Sequence, residues 1–135
     1  MLHQIKTFPP MKNFSIEGSE NSPEVMIDAN YGVIEIKGNS TLLAPDAFYK
    51  QLARWIHAFN LSDPSTRTVN IKFEKVDGRS LRCMLFLLQE LEQINRTGSN
   101  NLVVNWFYTE KNDQILNLGK KYRTNVELPF NLVAA

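Results

Sequence analysis

Three stretches of this 135-residue chain repeat their apolar residues at helical spacing, and each lies between runs that read as strands. From about Pro45 to Asn60 the apolar set is Phe48, Leu52, Trp55, Ile56 and Phe59, one face of a 3.6-residue period. From about Arg79 to Asn95 it widens to Leu81, Met84, Leu85, Leu87, Leu88, Leu91 and Ile94, as for a helix largely covered by neighbours. From about Asn112 to Arg123 it is Ile115, Leu118 and Tyr122. Between them, Arg67 to Lys75 alternates, with Val69, Ile71 and Phe73 on one side and Asn70, Lys72 and Glu74 on the other. Asn101 to Tyr108 is nearly continuous apolar sequence, which predicts a strand buried on both faces. Residues 127–133 predict a short edge strand, because Pro129 has no N–H to donate to a ladder.

Two β-rich runs, Glu24 to Asp28 and Val33 to Lys37, flank an Asn/Gly turn and read as a hairpin ahead of the first helix. Gly38 to Thr41 reads as a loop, and residues 1–22 as a loose lead-in with Pro9-Pro10 and the turn-forming Gly18 to Ser22. The order β-β-α-β-α-β-α-β predicts an α/β fold: a mixed sheet of about five strands with three main helices, in one domain over 23–135.

Composition narrows the function classes. Apolar residues are 43% and charged residues 21%, enough for one real core and against disorder. Fifteen basic and 14 acidic residues leave a net charge of +1, so no overall field draws the chain to nucleic acid or to an acidic membrane. No apolar run approaches the roughly 18–20 residues of a membrane span, and the N-terminus lacks the apolar core of a signal peptide. The single cysteine, Cys83, has no internal disulfide partner and sits in the apolar run Leu81 to Leu88, as a buried structural thiol would. These features predict a cytoplasmic protein, in which the Asn-x-Ser/Thr triplets at Asn13, Asn39, Asn60 and Asn95 are chance matches.

Catalytic chemistry is hard to find. His3 and His57 are far apart and, with one cysteine, offer no zinc spacing. The chain contains no dinucleotide-binding glycine motif, no Walker loop and no nucleophile elbow. Trp106-Phe-Tyr108 has the composition of a base-stacking platform, but without a basic surplus it reads as packing. No cofactor, metal or catalytic residue is assigned.

One junction invites a functional reading: Phe73-Glu-Lys-Val-Asp-Gly-Arg-Ser-Leu-Arg-Cys83, where a strand turns into the second helix. Asp77 is a good N-cap, and Gly78 allows a tight turn. Ser80 occupies the capping-box position with a shorter side chain than glutamate. Ordinary capping explains the pattern; a docking spot flanked by Arg79 and Arg82 explains it as well. A phosphate here would meet free N–H groups but also the Asp77 carboxylate.

At this junction the chain resembles the SiaC family of bacterial regulatory phosphoproteins. The pieces that carry the resemblance are Ile16-Glu-Gly-Ser, Ser22-Pro23, Gly38-Asn-Ser40, Phe48-Tyr49, Lys72-Phe-Glu74, Cys83-Met-Leu85, Asn105-Trp-Phe-Tyr108 and Leu128-Pro-Phe-Asn-Leu132, spread over about residues 14–133. It implies a STAS-like fold related to anti-sigma-factor antagonists. It also implies a partner-switching protein without catalytic activity. Such a protein is phosphorylated by a dedicated serine/threonine kinase, dephosphorylated by a PP2C-type phosphatase, and in one form activates a diguanylate cyclase, bearing on cyclic-di-GMP output and biofilm.

The switch segment departs from the family. Its Asn-Thr-Ser-Ser-x-Lys falls here on Asp77, Gly78, Arg79, Ser80 and, for the lysine, Arg82. Gly78 stands where the threonine takes the phosphate and has no hydroxyl. A second family segment, Ser-Tyr-Pro-Glu-Asn, stands as Ser40-Thr-Leu-Leu-Ala44. Either the chain is held in an unphosphorylated-like state, or the phosphate has moved to Ser80. The expected docking surface is Lys75, Asp77, Gly78, Arg79, Ser80 and Arg82, followed by the loop from Ser40 through Thr41 to Asp46. Two other readings remain: a small-molecule or minor catalytic cleft at the strand carboxyl ends, and a homodimer through an edge strand. The chain is expected to be a monomer or weak homodimer.

Overall fold

The computed structural model describes residues 14–28, 31–62, 68–97 and 102–135. The lead-in up to residue 13 with His3, the turn at Ala29-Asn30, the break at 63–67 and the helix stop at Gly98 lie outside them. Among the described residues six strands form one sheet in the order of the chain, β1 to β6. They are β1 (Phe14–Ile16), β2 (Glu24–Asp28), β3 (Val33–Ser40), β4 (Thr68–Val76), β5 (Val103–Tyr108) and β6 (Phe130–Ala134). The helices are α1 (Pro45–Ser62), α2 (Gly78–Thr97) and α3 (Asp113–Asn125). The expected mixed sheet with three helices is present: β1, β2 and β3 pair antiparallel, and β3 through β6 pair parallel.

The differences from expectation have local causes. Part of the expected lead-in is strand: Phe14 to Ile16 pairs with Val25 to Ile27. Gly18 makes the return possible, because a Cβ there would lie 2.9 Å from the Glu24 backbone nitrogen. Strand β3 continues through the expected loop to Ser40. Gly38, at φ 107, pairs with Phe73, and Asn39 then pairs with Lys75, so Glu74 is the extra residue of a bulge.

Strand β5 is not buried on both faces. Leu102, Val104 and Trp106 are buried, whereas Val103, Asn105 and Phe107 are half-buried. Successive parallel strands were added in one direction, so right-handed crossovers place every helix on the same side. The other face carries a side-chain ladder from Asn131 to Asn105 to Asn70, each bond 3.0 Å. Beside it, Lys72 pairs with Glu35 at 2.8 Å and lies over the Phe107 ring.

The core fills the space between the covered face and the helices. It includes Ile34, Ile36, Val69, Ile71 and Val104 from the strands and Leu52, Ile56, Met84, Leu87, Leu88 and Ile115 from the helices. Trp106 is its largest side chain and fully buried, donating its indole N–H to the Ile115 carbonyl at 2.8 Å. Tyr122, Phe73 and Phe130 surround the indole with ring centroids 5.5–6.2 Å away.

Candidate functional site

The bulge positions the ends of β3 and β4 against the start of α2. The Asp77 N–H donates to the Ser40 carbonyl at 3.1 Å, tying the two strand ends together. Asp77 is the N-cap: its carboxylate and its carbonyl both accept from the Ser80 N–H at 3.1 Å. Ser80 does not complete a capping box. Its hydroxyl donates to the Ser40 carbonyl at 3.0 Å and accepts from the Ser40 hydroxyl at 2.8 Å. The Ser40 hydroxyl also lies 2.6 Å from that of Tyr49 on α1. Ser40, Tyr49 and Ser80 all have 0% exposure, so one hydroxyl network fastens β3, α1 and α2 together. Burial pushes the Tyr49 phenol well above its usual range, partly offset by its bond to Ser40.

The expected docking surface therefore divides. Ser40 and Ser80 are interior, with no exposed surface. Lys75, Gly78, Arg79, Arg82 and Asp46 are exposed, and Thr41 and Asp77 are half-buried. Arg79 reaches across to the Leu42 carbonyl at 3.5 Å, joining the two candidate segments into one surface. Thr41 is tied to Asn21 through its N–H at 3.0 Å and its hydroxyl at 2.9 Å. Gly78 is not in the positive-φ region, and a Cβ there would meet nothing within 4 Å. The tight-turn role expected of it is not used.

Asp46, in the first turn of α1, accepts from the Cys83 thiol at 3.0 Å. Burial first, and then that bond, push the thiol up to about 11, so Cys83 is a protonated structural group near neutral pH. His57 shares a 2.8 Å contact with Glu90 and links α1 to α2. Among the described residues no group of histidine, cysteine and carboxylates is placed to hold a metal, and no helix is long and apolar enough to cross a membrane.

At the carboxyl ends of β4 and β5, a depression of about 340 Å³ is lined mainly by Lys72, Phe73, Glu74, Phe107, Tyr108 and Asn112. Asp77 does not line it. Sequence reasoning missed Tyr49 as a partner of Ser40: Tyr49 and Ser80 stand 9 and 40 residues from Ser40 along the chain, and no local pattern joins them.

The family model described as SiaC family regulatory phosphoprotein matches residues 16–135. The chain belongs to the SiaC family. A curated Pseudomonas aeruginosa protein (strain UCBPP-PA14), itself uncharacterised, is 20% identical over 124 residues, covering 92% of this chain and 98% of its own. The fold matches apo-SiaC of Pseudomonas aeruginosa with a TM-score of 0.77 at 22% identity, over 91% of this chain and 99% of that one. It matches equally the SiaC activator in a crystal structure with the diguanylate cyclase SiaD, with a TM-score of 0.78 at 22% identity over 90% and 99%.

Proposed function

We propose that this SiaC-family chain is a non-catalytic regulator that docks on a diguanylate cyclase through the N-terminal end of α2 and the adjoining β3–α1 loop. One observation carries the reading. The segment that the family resemblance aligns with the switch is an exposed, cationic helix start, where Arg79 spans to the loop and Lys75, Arg82 and the 88%-exposed Leu43 stand beside it. Cations around an apolar residue suit a protein surface bearing carboxylates.

The same geometry favours a chain held in its unphosphorylated-like state. Gly78 has no hydroxyl, and the Ser80 hydroxyl is fully buried with its hydrogen bonds satisfied. A phosphate on Ser80 would place about two negative charges in the interior beside Ser40, breaking the hydrogen bonds that the Ser80 hydroxyl makes there. Docking is then governed by partner abundance, and a dedicated kinase and PP2C-type phosphatase, if present in the same cell, act on other substrates.

The test is titration of the purified chain into a diguanylate cyclase from its own cells, read by calorimetry and by cyclic-di-GMP synthesis. Wild type should bind and activate. Arg79→Glu and Arg82→Glu should each weaken binding roughly tenfold while circular dichroism stays unchanged. Equal affinity in both variants excludes this surface. Phosphate on Ser80 in protein isolated from those cells would overturn the unswitched reading.

A further inference from the structure

Beyond the helix start, the outer side of α1 and α2 carries a groove that shares only Asp46 and Arg82 with the docking surface. Both helices connect parallel strands, so they run side by side in the same direction. Two open depressions lie along their seam. One of about 300 Å³ is lined by Asp46, Tyr49, Lys50, Arg82, Cys83 and Phe86. The next, of about 470 Å³, is lined by Lys50, Ala53, Arg54, His57, Ala58, Phe86 and Glu90. Lys50 and Phe86 border both, which makes the two depressions one continuous groove.

Its length, shape and charge select an occupant. Eleven residues of α1 separate Asp46 from His57, about 17 Å of helix or three turns. Small Ala53 and Ala58 line the second depression and let another backbone come close. Phe86, 37% exposed, offers an apolar wall at the middle. Lys50, Arg54 and Arg82 stand on the rim as exposed cations, and among the described residues none of them is in an ion pair. The two carboxylates of the groove already have internal partners, Asp46 in the Cys83 thiol and Glu90 in His57. The apolar wall at Phe86 gives a polyphosphate nothing to contact, whereas a helix can set an apolar residue against it and place its own carboxylates on the three cations.

We infer that the α1–α2 groove binds an acidic amphipathic α-helix of a protein partner. The inference rests on the partner-docking reading and adds a second contact surface, extending it from the start of α2 along its exposed flank.

The probe is a synthetic helical peptide of about 16 residues, with leucines four apart on one face and glutamates beside them, titrated into the full chain. A version with lysine in place of each glutamate is the control. Binding of the acidic peptide, with amide shifts centred on residues 46–58 and 79–93, is expected. Lys50→Glu combined with Arg82→Glu should weaken it roughly fivefold to tenfold and create binding of the lysine peptide. Phe86→Ala should weaken both pairings. Acidic-peptide binding unchanged by the reversal, shifts elsewhere, or no binding at low salt each overturns the groove. The peptide arm needs no cyclase. If cyclase binds and the peptide does not, the groove falls and the docking reading stands. If the peptide binds and swaps but cyclase does not, the groove stands and the docking reading falls.

Discussion

At the scale of single residues, the decisive feature is where hydroxyls lie. Ser80 follows Arg79 by one residue, yet one is sealed and the other is in solvent, because successive helical residues point about 100° apart. Tyr49→Phe removes one member of the buried network and leaves Ser40 with fewer partners; it should cost about 1 kcal/mol, seen as a Tm lowered by about 3–5 °C. Ser80→Asp buries a carboxylate against the Ser40 carbonyl and should cost several kcal/mol or prevent folding, as urea unfolding would show. Gly78→Thr behaves oppositely. Its Cβ enters open space, so stability should change by less than about 0.5 kcal/mol. Incubated with a kinase that phosphorylates SiaC-family proteins, this variant should gain phosphate where wild type gains none. A variant that folds but stays unphosphorylated would show that the kinase reads residues besides the acceptor.

At the scale of elements, each helix is fixed to the sheet by a different device. Helix α1 contributes Tyr49 to the network, and α2 is capped by Asp77 and linked to it through Ser80. Helix α3 starts at Asn112, whose side chain accepts from the Ile115 N–H at 3.1 Å, and reaches α2 through the Tyr122 hydroxyl, donated to the Leu81 carbonyl at 2.9 Å. Its close approach to β5 depends on Gly119. A Cβ there would lie 2.7 Å from the Trp106 Nε1 and 2.8 Å from Leu132. Gly119→Ala should therefore push α3 outward in spite of alanine's better helix propensity. The expected loss is about 1–3 kcal/mol, measured by denaturant unfolding together with the near-ultraviolet circular dichroism of Trp106. A stabilised variant would show that α3 moves freely over the sheet.

At the scale of the whole molecule, three acidic protons are held in or near the core. Burial raises Tyr122 to about 12 and Cys83 to about 11, against ordinary values of 10.0 and 9.0, and raises Tyr49 further. Above the ordinary values the unfolded chain releases these protons while the folded chain keeps them. The unfolded state then binds fewer protons, so stability falls as pH rises. The contribution is fully present below about pH 9 and is lost between there and about pH 12. Urea midpoints should hold steady toward pH 9 and then drop, and Cys83→Ser should delay the onset. A flat profile up to pH 11 would rule out proton retention in the core as the cause of alkaline unfolding.

What the sequence by itself determined is what neighbours a few residues apart encode: the three helical stripes, the hairpin of β2 and β3, the alternation in β4, the Asp77 cap and the motif order of the SiaC family. What only the tertiary structure decided depends on register and crossover geometry. The apolar run of β5 reads as doubly buried, but the helices share one face and leave Val103 and Phe107 half-exposed. The Gly38–Asn39 register shift carries β3 on to Ser40 and brings it to Ser80, 40 residues away. That contact turned an expected surface hydroxyl into a sealed one. The groove at Lys50, Phe86 and Arg82 likewise exists only once two helices from separate crossovers lie side by side. Spacing along the chain records which face of an element is apolar, whereas the position of its neighbour is set by the sheet that joins them.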